Sequence, residues 1–127
     1  MKKVPENKKT LGTEGEKIAA EFLKKNNYNI LTTNFRYSRL GEIDIIAREN
    51  NYICFIEVKT RSGVNYGFPI ESIDFRKREN IKKLANIFIA KHNFSNENIR
   101  FDVVEVYLKK EREVITVENI NLVKNAF

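Results

Sequence analysis

Asp44, Glu57 and Lys59 are the residues whose types and spacing could do chemistry together; they read Asp-(x12)-Glu-x-Lys. Two carboxylates suit a hard divalent cation such as Mg²⁺ or Mn²⁺, which accepts one or two of them and keeps its waters. A cation held this way activates water and stabilises the charge that develops on a phosphodiester. A lysine alongside orients or deprotonates the water, or neutralises the oxyanion. The set is the minimal equipment for metal-dependent phosphodiester hydrolysis. The same residues have a plainer reading, because Glu-x-Lys is common on strands. Glu42 with Lys59 and Asp44 with Arg48 would then be ion pairs at the end of a sheet.

For the chemical reading, two strands must hold the acids face to face. Glu42 to Arg48 and Tyr52 to Arg61 are rich in β formers, and Asn50-Asn51 between them suits a two-residue turn. With Glu49 opposite Tyr52, Asp44 falls opposite Glu57 and Glu42 opposite Lys59. Facing side chains on antiparallel strands lie ~5 Å apart at Cβ. One face then carries Ile53, Phe55, Glu57 and Lys59 against Glu42, Asp44, Ile46 and Arg48. The other carries Tyr52, Cys54, Ile56 and Val58 against Ile43, Ile45 and Ala47. Both strands are therefore expected to be central and covered on both sides. Carboxylates so close repel, and burial adds to the cost, so a cation or a shared proton is required.

The flanking elements follow from periodicity. Thr10 or Thr13 caps a first helix that runs to about Asn26, with Leu11, Ile18, Ala19, Phe22 and Leu23 as its apolar stripe. Glu16 sits on an edge of that stripe and reaches the same cation if the helix packs over the charged face. Tyr28 to Tyr37 alternates, with Leu31, Thr33 and Phe35 on one face, and reads as a strand. Residues 62–70 form a loop. Asp74 to about His92 forms a second helix with Ile81, Leu84, Ala85, Phe88 and Ile89 inward. Its other face carries Arg76, Lys77, Arg78, Lys82 and Lys83 against Glu79. Ile99–Leu108 and Glu113–Ile120 close the chain as a hairpin that turns at the Lys109–Arg112 run. The fold class is α/β: a central mixed sheet of about five strands flanked by helices, in the order α-β-β-β-α-β-β. Residues 10–127 make a single domain behind a flexible basic arm, 1–9.

Composition narrows the class of protein. The 127 residues carry 23 Lys and Arg against 17 Asp and Glu, a net charge of +6 that favours a polyanionic partner. Arg36, Arg39 and Arg61 lie close to the acids and would position a phosphate backbone, with Lys77, Lys82 and Lys83 added from the second helix. Solvated charge is the alternative for each. Tyr66 and Phe68 could stack on an unpaired base or pack locally. A single cysteine, Cys54, excludes a disulfide framework and reads as a core residue. His92 reads as a helix C-terminal residue, and Arg100 with Asp102 as a structural ion pair. No apolar run approaches the ~18 residues of a membrane span. The charged N-terminus is followed by no apolar stretch, so a cytoplasmic location is expected.

Taken in order, the chain shows Gly12, Gly15-Glu16 with Ala19 and Leu23, Asn34-x-Arg36 and Gly41-Glu42-Ile43-Asp44. Phe55-Ile56-Glu57-Val58-Lys59-x-Arg61, Lys77, Arg100-Phe101-Asp102-Val103 and Asn125-Ala126-Phe127 follow. From about Leu11 to Phe127 this set resembles the YraN-like family. The resemblance implies a restriction-endonuclease-like PD-(D/E)xK fold, similar to archaeal Holliday junction resolvases. It implies Asp44 and Glu57 as metal ligands, Lys59 as the catalytic lysine, and Glu16 as an acid from the first helix. Ile43 stands where the superfamily's name has proline. The implied activity is Mg²⁺- or Mn²⁺-dependent cleavage of structured or branched DNA, and a homodimer would suit the cutting of two strands. The alternative is a nucleic-acid-binding module or adaptor whose site is inactive or partner-dependent.

Overall fold

Asn50 turns the chain at a φ of 54°, a conformation asparagine tolerates, and Glu49 pairs with Tyr52 across it. That hairpin is the centre of the structure, a computed structural model that describes residues 2–3, 8–62, 74–112 and 114–127. In chain order the elements are β1 (Lys2–Lys3), α1 (Lys8–Lys25), β2 (Asn29–Arg36), β3 (Glu42–Glu49) and β4 (Tyr52–Ser62). Then come α2 (Phe75–Lys91), β5 (Asn98–Glu111) and β6 (Val114–Val123). The strands form one sheet in the order β1-β6-β5-β4-β3-β2. β4 and β5 are parallel, joined by the crossover that contains α2, and all other neighbours are antiparallel. This is the mixed α/β order read from the sequence, with the two-residue β1 added at the edge.

The helices cover opposite faces. On the α1 side, Ala19 and Leu23 meet Ile45, Ala47, Cys54, Ile56, Val58 and Val104. On the α2 side, Ile81, Leu84, Ala85 and Phe88 meet Ile43, Ile46, Ile53 and Phe55. Phe88 contacts Phe35 and Phe55 edge-on, at ring separations of 5.3 and 6.0 Å. Asp74 caps α2 by accepting the Lys77 N–H at 2.8 Å. His92 ends the helix as expected, its backbone N–H donating to Phe88 O and its ring stacked on Phe88.

Several boundaries differ from the sequence reading. α1 begins at Lys8, so Thr10 and Thr13 lie inside it; Lys8 and Lys9 are good helix formers and extend it. Within the expected arm, Lys2 and Lys3 pair with Ile115 and Val114 of β6. Lys109 to Glu111 continue β5 rather than turning, and the reversal falls at Arg112, whose φ is 58°.

The alternation of β2 and β3 is also broken, at two matched points. Thr33 pairs with Ile45 and Phe35 with Ile43; Asn34, between them, takes a φ of 52°. Ile43 and Phe35 therefore pack against α2, while Ile45 packs against α1. Strict alternation had put Ile43 with Ile45. A bulge between Ile30 and Thr32 displaces Leu31, which is exposed rather than sharing a buried face with Phe35.

The end of the sheet around Glu49 is closed by a buried ionic network. Arg100 donates to Asp102 at 2.8 and 2.9 Å, to Glu49 at 2.7 Å and to the Tyr28 hydroxyl at 2.9 Å. Lys124 donates to both Glu49 oxygens, and the Asn125 N–H donates to Asp102. The C-terminal residues are thereby tied to β3 and β5. Burial raises the Glu49 pKa, but the hydrogen bonds from Lys124 and Arg100 outweigh it and hold the carboxyl below its usual range. Stability from Glu49 is thus present above the ordinary carboxylate pKa and lost as pH falls through the lower folded value. Glu49→Gln should cost about 1–3 kcal/mol at neutral pH, because the Arg100 side chain is only 12% exposed. Urea titrations of parent and variant should show that gap closing as acid protonates the parent's carboxyl.

Candidate active site

The acids occupy a point where the β3–β4 ladder ends. Backbone pairing runs from Glu49–Tyr52 to Ile45–Ile56 in the register set by the Asn50-Asn51 turn. The next bond is made by a side chain: Asp44 Oδ2 accepts the Val58 N–H at 2.8 Å. A carboxylate thus stands in for a backbone carbonyl, in the interior. Burial, then the charge and hydrogen bond of Glu57, push the Asp44 pKa up to about 9, with a smaller push from Glu16. Without a cation, burial and the neighbouring carboxylates favour the protonated form of Asp44.

Glu57 is 5% exposed. Its Oε1 accepts from Lys77 Nζ at 3.1 Å, while its buried Oε2 has no hydrogen-bond partner. Lys59 follows on the same face of β4, half-buried beside Lys77. Burial and the Lys77 ammonium pull the Lys59 pKa down, against the opposing pull of Glu57 and Asp44. For Lys77, burial is outweighed by Glu57, and its pKa rises. The lysine on the strand is therefore the readier of the two to give up its proton.

α1 reaches the same point from the opposite face. Gly15 packs so closely on β4 that a Cβ there would overlap the Thr60 side chain. This contact seats the next residue, Glu16, whose Oε1 accepts from Asn34 Nδ2 at 3.3 Å. Glu16, Glu42 and Asp44 place carboxylate oxygens within 4.8 Å of one another. Glu16 thus meets Asp44 although α1 covers the apolar face and not the charged one. The meeting is possible because Asp44 lies where the strands part.

The family model of the Uncharacterised protein family UPF0102 matches residues 15–106. A UPF0102 protein of Acetivibrio thermocellus is 56% identical over 121 residues, 95% of this chain and 93% of its own. Another, of Caldanaerobacter subterraneus subsp. tengcongensis, is 51% identical over 127 residues, 100% of both chains. A third, of Clostridioides difficile, is 45% identical over 121 residues, 95% of this chain and 99% of its own. The chain belongs to the UPF0102 family. This is the YraN-like family that its motifs resemble.

In this UPF0102 chain, Asp44 is the common neighbour. Glu57, with Lys59 and Lys77 beside it, borders Asp44. The carboxylates whose oxygens lie within 4.8 Å of one another are Glu16, Glu42 and Asp44, without Glu57. Glu42 enters this acid group while accepting from Arg36 at 2.8 Å. Sequence reasoning missed it as a partner of Asp44 by placing it opposite Lys59; the Gly41-Glu42-Ile43-Asp44 motif was the available signal. The plainer ion pairs do not form. Glu42 takes Arg36, and Arg48 takes Glu97 at 3.2 Å. The basic residues divide. Arg36 and Lys77 are occupied by acids, Lys82 lies 3.6 Å from Glu79, and Arg61 is half-buried beyond Lys59. Arg39 and Lys83 face a common surface cavity. Tyr66 and Phe68 lie outside the described residues. Cys54 is fully buried in the core, and burial pushes its thiol up to about 12.

Asn at position 44 would keep an oxygen for the Val58 N–H and offer an N–H to Glu57, like the protonated acid. Asp44→Asn should therefore leave the metal-free protein as stable as the parent or raise it by on the order of 1 kcal/mol. Thermal melts in EDTA measure this. A loss of about 3–5 kcal/mol would instead mark Asp44 as half of an essential buried ion pair.

Proposed function

We propose that this protein is a metal-dependent endonuclease of the PD-(D/E)xK type acting on structured or branched DNA. The observation that carries the reading is the meeting of two buried acids, Asp44 and Glu57, at the end of a ladder, with Lys59 two residues on. The motif resemblance to the resolvase-like superfamily supports it.

The residues fit a divalent cation. Glu57 keeps a buried oxygen that no N–H reaches, and the Asp44 pKa is raised by burial and by neighbouring carboxylates, a shift that a cation would oppose. Glu16, Glu42 and Asp44 have carboxylate oxygens close enough to share one Mg²⁺ or Mn²⁺, and Glu57, which borders Asp44, would add a further oxygen. When bound, the ion supplies Lewis-acid charge to the scissile phosphodiester and lowers the pKa of water. Lys59 contributes from the strand: its depressed pKa suits it to take a proton from the attacking water, and in its charged form it neutralises the developing oxyanion. Lys77 must release Glu57 or share it as the cation enters, and is then free to meet a phosphate. A cytoplasmic site of action and a homodimer accord with this reading.

One observation favours a second reading, a nucleic-acid-binding module or adaptor with a silent site. Lys77 and the Asp44 proton already neutralise the two acids in the metal-free chain. Millimolar Mn²⁺ should raise the parent's Tm through binding to the folded state. Asp44→Asn and Glu57→Gln should abolish that rise and any cleavage of labelled branched DNA. Lys59→Ala should keep the rise and lose the cleavage, since lysine is not a ligand for these ions. No Mn²⁺ shift and no cleavage in the parent would sink the nuclease in favour of the silent module, and cleavage by Lys59→Ala at the parent's rate would remove the lysine's role.

A further inference from the structure

Phe75 is the first residue of α2 and is 75% exposed, the most exposed of the large hydrophobic side chains described. It takes no part in the helix's buried face, which is Ile81, Leu84, Ala85 and Phe88. Its backbone is nonetheless held firmly, because Asp74 caps the helix and Arg78 N–H bonds to Asp74 O at 3.0 Å. An aromatic ring fixed in water costs hydrophobic free energy and gives nothing back to the fold.

The surroundings of the ring give it a use. Phe75 lines a surface cavity of about 470 Å³ together with Arg39, Leu40, Arg76, Glu79, Asn80 and Lys83. Leu40, Arg76 and Asn80 also line an adjoining cavity of about 270 Å³, which contains Glu42 and Lys77. The two make one trough, leading from the acid group to the exposed ring. Its outer part carries three cations, Arg39, Arg76 and Lys83. Against them the outer cavity sets one acid, Glu79, 3.6 Å from the Lys82 ammonium, and Asp74, which lines the adjoining cavity, accepts the Lys77 N–H.

We propose that this trough takes an unpaired nucleotide, with Phe75 stacking on the base and Arg39, Arg76 and Lys83 contacting its phosphates. Base stacking on aromatics is sequence-tolerant, since every base has a π-face, and the cations supply the salt-dependent part. A fully paired duplex covers those faces on both sides, so the platform selects strands with an unpaired base. Asn80 stands between the ring and the acids, where an amide meets a base edge or sugar. The inference rests on the nuclease reading only for the inner end of the trough. It gives that site a substrate class: DNA whose strand is unpaired next to the scissile phosphate, such as a flap or branch point.

Binding without cleavage tests it. In EDTA, fluorescence anisotropy compares the parent on a labelled flap and on a fully paired duplex of the same length. The parent should prefer the flap. Phe75→Ala should bind the flap about ten-fold more weakly and the duplex within two-fold of the parent, with an unchanged Tm. Phe75→Trp should restore the flap affinity. As the chain has no other tryptophan, its fluorescence should be quenched by the flap and not by the duplex. Equal flap binding by parent and Phe75→Ala, or equal weakening on flap and duplex, overturns the platform. An unquenched Phe75→Trp that binds the flap as tightly as the parent does so too. The nuclease reading fails separately, by the absence of cleavage in Mn²⁺ from a parent that still prefers the flap.

Discussion

The hydrogen bond from the Val58 N–H to Asp44 Oδ2 is the contact on which the remaining arrangement depends. A backbone donor in the middle of a sheet normally meets a carbonyl, and leaving it unpaired costs about 1–3 kcal/mol. Here a side chain meets it. The substitution draws a carboxylate into the interior, ends the ladder and lets β3 change the face it offers to the helices. Asn34 makes the matching change on β2, using a positive φ that a β-branched residue would not adopt cheaply. The two irregularities sit opposite one another, so both strands shift together and pairing resumes at Phe35–Ile43 and Arg36–Glu42.

Both helices exploit the opening. α1 lies close enough to β4 for Gly15 to touch Thr60, and this brings Glu16 over the edge from one face. α2 brings Lys77 from the other, onto Glu57. In a regular sheet the two faces are separated by the backbone, and side chains from opposite helices do not meet. The parted strands allow groups from four elements, α1, β3, β4 and α2, to surround one carboxylate. Close packing holds them there. The Phe35, Phe55 and Phe88 rings fix α2 against the sheet, and the Arg100 network anchors the far end of β3 and β4.

Much of this is legible in the residues. The Asn50-Asn51 turn fixes the register of β3 and β4, and period two then aligns Glu57 with Lys59. The Ile81, Leu84, Ala85, Phe88 stripe gives α2 its inward face, and Asp74 and His92 mark its ends within a residue. The break at Asp44 was not legible, because a pattern rule assumes unbroken alternation and a side chain that replaces a backbone acceptor leaves no periodic signature. The doubled Ile45-Ile46 and an asparagine at position 34 were its only traces. Lys77 read as a phosphate contact or a solvated cation on the second helix, not as a partner of Glu57. Its partner lies 20 residues back in the chain, and only the packing of α2 on β4 reveals it. The exposed ring of Phe75 was equally hidden, since an aromatic at a helix start ordinarily packs inward.

The distribution of charge bears on how a polyanion could approach such a centre. The chain carries a net +6, yet its buried ionisable groups include Asp44, Glu57, Asp102 and Glu105. Apart from Arg100, the inward charges named are acids, and the outer cavity sets Arg39, Arg76 and Lys83 against Glu79 alone, a lining that favours an approaching phosphate. Three close acids would still repel it if all were ionised. Burial and neighbouring carboxylates favour the protonated form of Asp44, and the Lys77 ammonium lies on Glu57, so the metal-free chain carries less negative charge there. On the proposed function, a divalent cation would take over that neutralisation, and the Lys77 ammonium would keep its charge beside the phosphate. Neutralisation would then pass from groups of the chain to a ligand without exposing the bare acid pair, which is the costliest arrangement the interior could hold.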